Sequence, residues 1–302
     1  MRITVVGYLV IDEVVSGKIR TTTLGGPPSY AGLAARKLGA EDVSLFTKFG
    51  ADFPDDYLLW LSWNQLKINR YARSTSHLTT RFRIVQKPDG RELYLEARCE
   101  DLKADGELPE GDVAVVSPVA GEVDFALLNH IRKQFKTVYL DPQGFIRRFE
   151  QDGRCYLINM DRRTLKYADI VKMDGEEALM MTGLRDPVQA LEEVRRSGVE
   201  VVIYTKGAEG ALLRCSKGLF RIPVVRQLDV LDTTGAGDIF AGAFATTYLE
   251  GGDPVWSGCV AVAAASAGLD KVGLSKVAGI DAVAGLAEET AKKVEQMKDG
   301  NV

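Results

Sequence analysis

The fold of this chain is constrained most by a regular alternation between short runs of β-branched residues and longer amphipathic stretches. Six runs are predicted as buried strands, and two clear amphipathic stretches, 124–135 and 187–197, are predicted as helices between them. The strand runs are 3–6, 43–46, 113–117, 138–141, 170–173 and 201–205. Buried strands that alternate with helices form a mostly parallel sheet with helices on both faces. The predicted fold class is therefore α/β.

Two segments, 14–22 and 79–98, depart from this rhythm because apolar or aromatic residues alternate with charged ones. Such alternation predicts half-exposed strands, and the tetrapeptide Lys-Pro-Asp-Gly at 87–90 predicts a hairpin turn in the second segment. The chain shows no internal repeat and no interdomain linker. A single domain over 1–302 is therefore expected.

The most specific motif is the heptapeptide Asp-Thr-Thr-Gly-Ala-Gly-Asp at 232–238. Its two glycines let the backbone turn with N–H groups exposed, and the apolar run from Ile239 predicts a helix that begins there. The partial positive charge of a helix N-terminus suits a phosphoryl group in transfer, and Asp238 is placed to accept the proton of an attacking hydroxyl. Gly-x-Gly-Asp alone is more often an ordinary turn with an Asp helix cap, but the full heptapeptide is far more specific.

This heptapeptide resembles the C-terminal signature of the ribokinase-like, phosphofructokinase B-type carbohydrate kinases. Further segments that match the family precede the heptapeptide in the same order as in the family, namely Gly7, Asp12, Gly25-Gly26, 47–52 and 205–207. The resemblance implies a ribokinase-like three-layer sandwich with a small β lid, formed from about 12–23 and 76–99, over the sugar site. It also implies ATP-dependent transfer of the γ-phosphoryl group, in line and without a phosphoenzyme, to a hydroxyl of a sugar or polyol.

The resemblance assigns roles to individual residues. Asp238 becomes the catalytic base, and the backbone N–H groups of Gly235, Ala236 and Gly237 hold the developing charge. The implied nucleotide-binding residues are Thr205, Lys206, Gly207, Gly210, Thr234, Ala264 and Gly268. A lysine in a surface turn is usually only solvated, and small residues such as Ala264 are equally typical of a tight helix interface.

Metal ions enter through the same resemblance. Asp174 and Glu177 lie where many relatives carry an Asn-x-x-Glu motif that organises phosphate and Mg²⁺ through water, and Asp174 departs from the Asn of that motif. Mg²⁺ takes oxygen ligands, so an Asp is chemically suitable there. Many relatives are also activated by a monovalent cation near the loop before the signature, and Asp229 and its neighbours are candidates for such a site.

The acceptor is predicted from departures within the family. The resemblance implies that Asp12 hydrogen-bonds substrate hydroxyls and that Gly25-Gly26 approaches the substrate closely. Tyr30 stands where ribokinase has Asn, and the segment 143–147, Gln-Gly-Phe-Ile-Arg, resembles archaeal and plant myo-inositol kinases. Gln143 and Arg147 are therefore implied acceptor residues, with myo-inositol as the leading acceptor and ribose, another sugar or polyol, or a nucleoside as alternatives. Paired arginines often lie at a solvated helix end. Of the two, Arg147 is favoured over Arg148 as the residue that binds in the site.

Composition excludes several other classes. A net charge of −4 offers no general attraction to nucleic acid or to an anionic membrane, and the apolar stretch 255–269 is too short to cross a bilayer. Four scattered cysteines predict core thiols in a reducing, cytoplasmic compartment. The expected partners are small molecules, and both monomer and homodimer remain open.

Two other functional classes are disfavoured by motifs. A noncatalytic sensor on the same fold is expected to lose Asp238 or the glycine loop. A dinucleotide-dependent oxidoreductase needs a Gly-x-Gly-x-x-Gly turn after the first strand, which is absent from this sequence.

Overall fold

The computed structural model describes residues 1–87, 90–103, 108–226 and 230–297. The α-helices in these residues are α1 (Pro27–Lys37), α2 (Asp55–Trp63), α3 (Phe125–Gln134), α4 (Gln143–Ile146), α5 (Gly175–Thr182), α6 (Pro187–Arg196), α7 (Ala236–Gly251), α8 (Pro254–Ser266) and α9 (Ile280–Ala291). The strands are β1 (Arg2–Val6), β2 (Val10–Ser16), β3 (Ile19–Gly25), β4 (Asp42–Phe46), β5 (Leu66–Ile68), β6 (Thr80–Lys87), β7 (Gly90–Ala97), β8 (Val113–Val116), β9 (Thr137–Leu140), β10 (Arg147–Phe149), β11 (Cys155–Leu157), β12 (Ile170–Met173), β13 (Val201–Thr205), β14 (Ala211–Cys215), β15 (Gly218–Ile222) and β16 (Glu295–Met297).

The main sheet has the strand order β16-β15-β14-β13-β12-β9-β8-β1-β4-β5. Neighbouring strands from β5 to β13 pair in parallel, whereas β14, β15 and β16 add an antiparallel edge. The six strands predicted from sequence are β1, β4, β8, β9, β12 and β13, and their ends agree to within one residue. The α/β prediction with a mostly parallel sheet is confirmed.

Helices cover both faces of this sheet because alternate strand residues point to opposite sides. In β8, Val113 and Val115 join the core beneath α1, α7 and α8, whereas Ala114 and Val116 join the core beneath α3, α5 and α6. The two amphipathic stretches predicted as helices are α3 and α6. Each begins after an Asp whose side chain accepts a backbone N–H of the first turn, as preferred at helix N-caps.

A smaller sheet of four strands lies at one end of the main sheet, in the order β3-β2-β6-β7. β2 pairs antiparallel with β3 and parallel with β6. A third apolar cluster, which includes Tyr8, Val10, Phe82 and Ile84, packs this small sheet against the body of the protein. Its strands come from the two segments for which a lid is expected, and the predicted turn residues 88–89 lie outside the described residues.

The cysteines agree with the sequence interpretation except at one position. All four are free thiols, and Cys99, Cys215 and Cys259 are buried. Cys155 is only partly buried because it lies in β11, a strand of the short β10–β11 hairpin outside the main sheet.

The apolar stretch that ends near residue 269 forms most of α8. Its side chains pack into the core beneath α7 and the edge strands β14 and β15. Across the described ranges, no helix has both the length and the apolar character needed to cross a membrane.

Candidate active site at the start of α7

The heptapeptide motif forms a tight turn followed by the first turn of α7. Gly235 precedes the helix in a left-handed conformation with φ 75°, which favours glycine, and α7 begins at Ala236. The helix therefore begins three residues earlier than the predicted start at Ile239, because Gly235 makes the whole reversal and Ala236 to Asp238 already have helical backbone. Asp238 lies in the first turn, beside the free N–H groups of the helix N-terminus.

Asp238 has the surroundings of a general base. Gln143 Nε2 donates a hydrogen bond to Asp238 Oδ1 at 3.4 Å and another to Ser117 Oγ at 3.1 Å, which fixes the carboxylate relative to α4. Burial and the negative charge of Asp141 raise the pKa of Asp238 to about 7, although Lys172 and Arg147 act in the opposite direction. A carboxyl group that titrates near neutrality is well matched to accepting a proton.

A buried charge cluster lies beneath the helix start. Lys172 Nζ is 2.9 Å from Asp141 Oδ2 and 3.9 Å from Glu177 Oε2. Although burial alone lowers it, these two carboxylates raise the pKa of Lys172 well above its ordinary value, so the side chain is an ammonium ion. A Cβ added to Gly237 would lie 3.2 Å from Lys172 Nζ. Lys172 therefore places a positive charge beside the anion-binding turn, a role that the sequence reasoning did not assign.

Asp174 and Glu177, the predicted metal residues, cap α5 reciprocally. Asp174 Oδ1 accepts the N–H of Glu177 at 2.9 Å, and the N–H of Asp174 donates to Glu177 Oε2 at 2.8 Å. Within the described residues, no three His, Cys, Asp or Glu side chains are grouped so as to hold a metal ion. Because one oxygen of each carboxylate is committed to the cap, this donor set fits contact with Mg²⁺ through water better than direct ligation.

The first of two pockets at the helix start lies between the small sheet and the body of the protein. Five of the predicted acceptor residues line it together with Asp238, namely Asp12, Gly26, Tyr30, Gln143 and Arg147. Gly25 lies behind Asp12, and a Cβ at Gly25 would lie only 1.9 Å from Asp12 Oδ2. The close approach that requires glycine at this position is thus to the Asp12 carboxylate. Arg148 is exposed and donates to the carbonyl oxygens of Phe145 and Arg147.

Two polar groups of this pocket are strongly buried. Asp12 is 5% exposed, and burial together with the charge of Asp238 raises its pKa to about 7. Tyr30 is 1% exposed, and its hydroxyl has no hydrogen-bond partner in the described part of the chain. A buried hydroxyl without a partner is costly, so this oxygen holds hydrogen-bonding capacity that the protein itself leaves unused.

Arg91 lines the same pocket and was missed by the sequence reasoning. It lies near the start of β7, and Asp12 and Asp238 are close enough to act on its pKa. An arginine in a strand of alternating polarity gives no local signal that distinguishes it from a solvated one. Only the pairing of β7 with β6, and of β6 with β2, brings Arg91 to the side of Asp12.

The second pocket has a volume of about 460 Å³ and lies on the other side of the α7 start. Thr205, Gly207 and Gly210 line it as predicted for nucleotide-binding residues. The remaining wall is largely apolar and includes Val224, Val230, Phe240, Val262 and Leu269. Residues 227–229, which include Asp229, lie outside the described residues.

Other predicted nucleotide residues are placed elsewhere. Lys206 forms an ion pair with Glu209 at 2.7 Å, and Thr234 lines the first pocket instead of the second. Ala264 is buried in the core, and its neighbours Ala265 and Ser266 line the pocket, because the turn of α8 and not the composition decides which small residue faces outward. Gly268 packs against the backbone of the segment after α8.

The two pockets meet at the first turn of α7. Gly235 and Asp238 line the first pocket, whereas Ala236 and Gly237 line the second. One turn of helix thus presents a carboxylate to one side and the N–H of Gly237 at the boundary, whereas the N–H of Ala236, predicted to bind the phosphoryl group, donates to the Thr233 carbonyl oxygen at 3.1 Å. This arrangement suits the direct transfer of an anionic group from a molecule in the second pocket to a hydroxyl in the first.

Comparisons with known proteins find similarity to kinases. The profile of the family described as pfkB family carbohydrate kinase matches residues 3–278. A cytidine kinase of Thermococcus kodakarensis is 27% identical over 259 residues, which cover 82% of this chain and 88% of that protein. An inositol 3-kinase of Zea mays is 32% identical over 170 residues, which cover 54% of this chain and 41% of that protein.

Solved structures share the fold. A pyrophosphate-dependent kinase in the ribokinase family, complexed with a pyrophosphate analog and myo-inositol, superposes with a TM-score of 0.80 at 21% identity. The match covers 91% of this chain and 97% of that one. At this identity the likeness concerns the fold, and it confirms the three-layer architecture expected from the sequence.

Proposed function

The chain belongs to the pfkB family of carbohydrate kinases, and from that premise we propose that it transfers the γ-phosphoryl group of ATP to a hydroxyl of myo-inositol. As a member of this family it is a phosphotransferase with an alcohol group as acceptor. The observation that carries the proposal is the single turn of α7 shared by the two pockets, with Asp238 on one side and Gly237 on the other.

The mechanism follows from the residues at this turn. Asp238 accepts the proton of the acceptor hydroxyl while the hydroxyl oxygen forms a bond to the γ-phosphorus, and the bond from that phosphorus to the leaving ADP oxygen breaks. The N–H groups of Gly235 and Gly237, with the ammonium of Lys172 nearby, stabilise the negative charge of the phosphoryl group in transit, whereas the N–H of Ala236 is bonded to the Thr233 carbonyl oxygen. Mg²⁺, carried with the nucleotide, supplies neutralising charge to the phosphates, and Asp174 and Glu177 would hold it through water.

The donor proposed is a nucleotide because of the second pocket. Its apolar wall, with Phe240, Val262 and Leu269, suits the faces of a flat base, whereas pyrophosphate gains nothing from apolar contacts. A pyrophosphate-dependent kinase shares this fold, and pyrophosphate is therefore included among the donors tested.

The acceptor proposed is neutral and rich in hydroxyls. Two carboxylates, Asp12 and Asp238, face two guanidinium groups, Arg91 and Arg147, so the ionised first pocket carries no net formal charge. The hydroxyl of Tyr30 and the carboxylate of Asp12 supply partners for substrate hydroxyls. The alternatives are ribose, another sugar, or a nucleoside, since relatives include a cytidine kinase and a ribokinase.

An acceptor and donor panel tests this proposal. Purified protein is incubated with Mg²⁺ and either ATP or pyrophosphate, and with myo-inositol, ribose, fructose, cytidine or 2-dehydro-3-deoxygluconate in turn. Phosphorylated product is measured directly, so that background hydrolysis does not count. We expect the highest kcat/KM for ATP with myo-inositol. Efficient ribose or cytidine phosphorylation without inositol product would overturn the acceptor, and efficient use of pyrophosphate alone would overturn the donor.

The pH dependence of the reaction follows from the raised pKa of Asp238. A protonated carboxyl accepts no proton, so kcat/KM for the acceptor is expected to fall by about tenfold per pH unit below about 7 and to level off above it. Asp12 titrates in the same range, and its loss of charge steepens the fall in the wild-type protein. The profile is measured from pH 5 to 9 at saturating nucleotide, with Asp12→Asn as the variant in which Asp238 is the one carboxyl group left lining the first pocket. Activity that stays constant from pH 5 to 7 would contradict the role of Asp238.

The acceptor role of Tyr30 is tested by removing one oxygen atom. Tyr30→Phe is expected to lower kcat/KM for the preferred acceptor by about 5- to 30-fold, the effect of one buried hydrogen bond, with nucleotide KM unchanged. Tyr139→Phe is the matched control, because Tyr139 also has a buried hydroxyl without a partner among the described residues but lies in the core against Phe244. Equal activity of the two variants would remove Tyr30 from acceptor recognition.

A further inference from the structure

The loop that leads into the anion-binding turn is folded around a buried ammonium group. Lys276, 1% exposed, lies in the short helical turn Gly273–Lys276 that follows α8. Its Nζ donates to Asp232 Oδ2 at 2.5 Å, to the Asp232 carbonyl oxygen at 3.0 Å and to the Thr234 carbonyl oxygen at 2.7 Å. These three oxygens satisfy all three N–H donors of an ammonium ion.

Two backbone carbonyls and a carboxylate form the kind of oxygen cage that also binds a free monovalent cation. Here, however, each of the three oxygens is already bound to Lys276 Nζ. Asp232 is further committed, since Oδ1 accepts the N–H of Thr234 and Oδ2 accepts the N–H of Gly273. The monovalent cation implied by the family resemblance therefore does not fit this cage while Lys276 occupies it.

The cage connects directly to the reacting groups. Thr234, whose carbonyl binds the ammonium, lines the first pocket and immediately precedes Gly235. The Lys276 Nζ also lies 5.9 Å from the centre of the Tyr30 ring, within the range of cation–π attraction. Tyr30 in turn contacts Gly235, since a Cβ there would lie 2.6 Å from the Tyr30 ring. One ammonium group thus fixes both the loop and the aromatic wall against it.

We propose that Lys276 acts as a built-in cation that positions the anion-binding turn, so that phosphoryl transfer by this protein requires no free monovalent cation. This inference rests on the proposed kinase function. Lys276 is a positioning residue, because it contacts the loop of residues 232–234 and not the reacting atoms. Its removal leaves a buried carboxylate and two carbonyl oxygens without a counter-charge, and their mutual repulsion opens the turn before α7.

The test compares cations at constant ionic strength, using the full chain with ATP and its preferred acceptor. Wild-type kcat is expected to change by less than about twofold when K⁺ replaces tetramethylammonium, because the cage is already filled. Lys276→Ala is expected to lose about 100-fold or more of kcat in tetramethylammonium, as one partner of a buried pair is removed. Addition of K⁺ or NH₄⁺, which are close in size to the lost group, is expected to raise the kcat of Lys276→Ala by at least about tenfold.

Lys37→Ala is the matched control. Lys37 Nζ donates to the carbonyl of Val277, the residue next to Lys276, at 2.7 Å, but lies outside the cage. This variant is expected to retain wild-type activity in every salt. A general loss of packing near the segment would affect both lysine variants without cation rescue, whereas a lost counter-charge affects only Lys276→Ala and is reversed by K⁺.

Three results would overturn the inference. These are activation of the wild-type protein by K⁺ of tenfold or more, undiminished activity of Lys276→Ala in tetramethylammonium, and a folded Lys276→Ala protein that no cation rescues. The wild-type measurement stands even where the variant does not fold. If no acceptor is phosphorylated at all, the kinase proposal fails, but the cage is still tested by melting temperature. K⁺ is then expected to stabilise Lys276→Ala over tetramethylammonium and to leave the wild-type Tm unchanged, and equal responses of the two proteins would refute it.

Discussion

Asp238→Asn is expected to lower kcat by about 10²- to 10⁴-fold with nucleotide affinity nearly unchanged, because the base acts mainly in the transition state. The amide keeps the shape of the carboxylate and its contact with Gln143, but it accepts no proton. Turnover is measured with saturating ATP and acceptor, and nucleotide affinity by equilibrium binding.

The melting temperature of Asp238→Asn shows whether a loss of turnover comes from the missing base or from unfolding of the protein. Burial raises the pKa of Asp238 far above the value of an unfolded Asp, so the ionised side chain costs folding free energy as the pH rises from about 4 to about 7. Asn carries no such charge, and Asp238→Asn is therefore expected to melt no lower than wild type at pH 8. Asp253→Asn, which changes another helix-start Asp outside both pockets, serves as the control and should keep full activity. Near-wild-type turnover of Asp238→Asn would remove Asp238 from the role of base.

Gly235→Ala is expected to reduce kcat/KM by about 100-fold or more, through two separable effects. The first is backbone strain at φ 75°, which costs an alanine about 1–2 kcal/mol. The second is steric, since the new Cβ would lie 2.6 Å from the Tyr30 ring and must displace either the ring or the turn. Displacement of the turn moves the N–H groups that hold the phosphoryl charge.

Gly252→Ala isolates the strain from the steric contact. Gly252 ends α7 with φ 66°, and a Cβ there meets nothing within 4 Å. Both variants should lose a similar amount of unfolding free energy from strain, measured by urea denaturation, but only Gly235→Ala should lose activity. Equal activity of the two variants would show that the close packing of Gly235 on Tyr30 is irrelevant to transfer.

The buried parallel strands were predictable because both of their faces meet a core. A strand such as β8, buried at all four positions, reads as a continuous apolar run whose ends are set by the first polar residues. The edge strand β16 was not predicted, since its residues Glu295–Met297 are exposed or partly buried and its order comes from pairing with β15. Periodicity carries no signal for a strand that buries neither face.

Site residues that belong to a sequence motif were predictable, whereas residues that the fold brings together from distant segments were not. The heptapeptide led to Asp238, and the resemblance in the segment 143–147 led to Gln143 and Arg147, which line one pocket. Lys276 was missed because its partner Asp232 lies 44 residues earlier, and a lysine in a short turn normally faces solvent. Contacts of this kind are products of tertiary packing, which a local pattern does not encode.

Because the apolar clusters are separate, acceptor preference and the stability of the two main cores depend on different residues. The pocket wall beside Asp12 includes Phe82 and Ile84, which belong to the cluster beneath the small sheet and not to either core of the main sheet. Substitutions there change the shape offered to an acceptor without creating cavities under α7 or the donor pocket. A combinatorial library restricted to β6 and β7 should therefore yield variants with new acceptor preferences at little cost in folding, whereas the same number of changes in α7 and α8 should mostly yield unfolded protein.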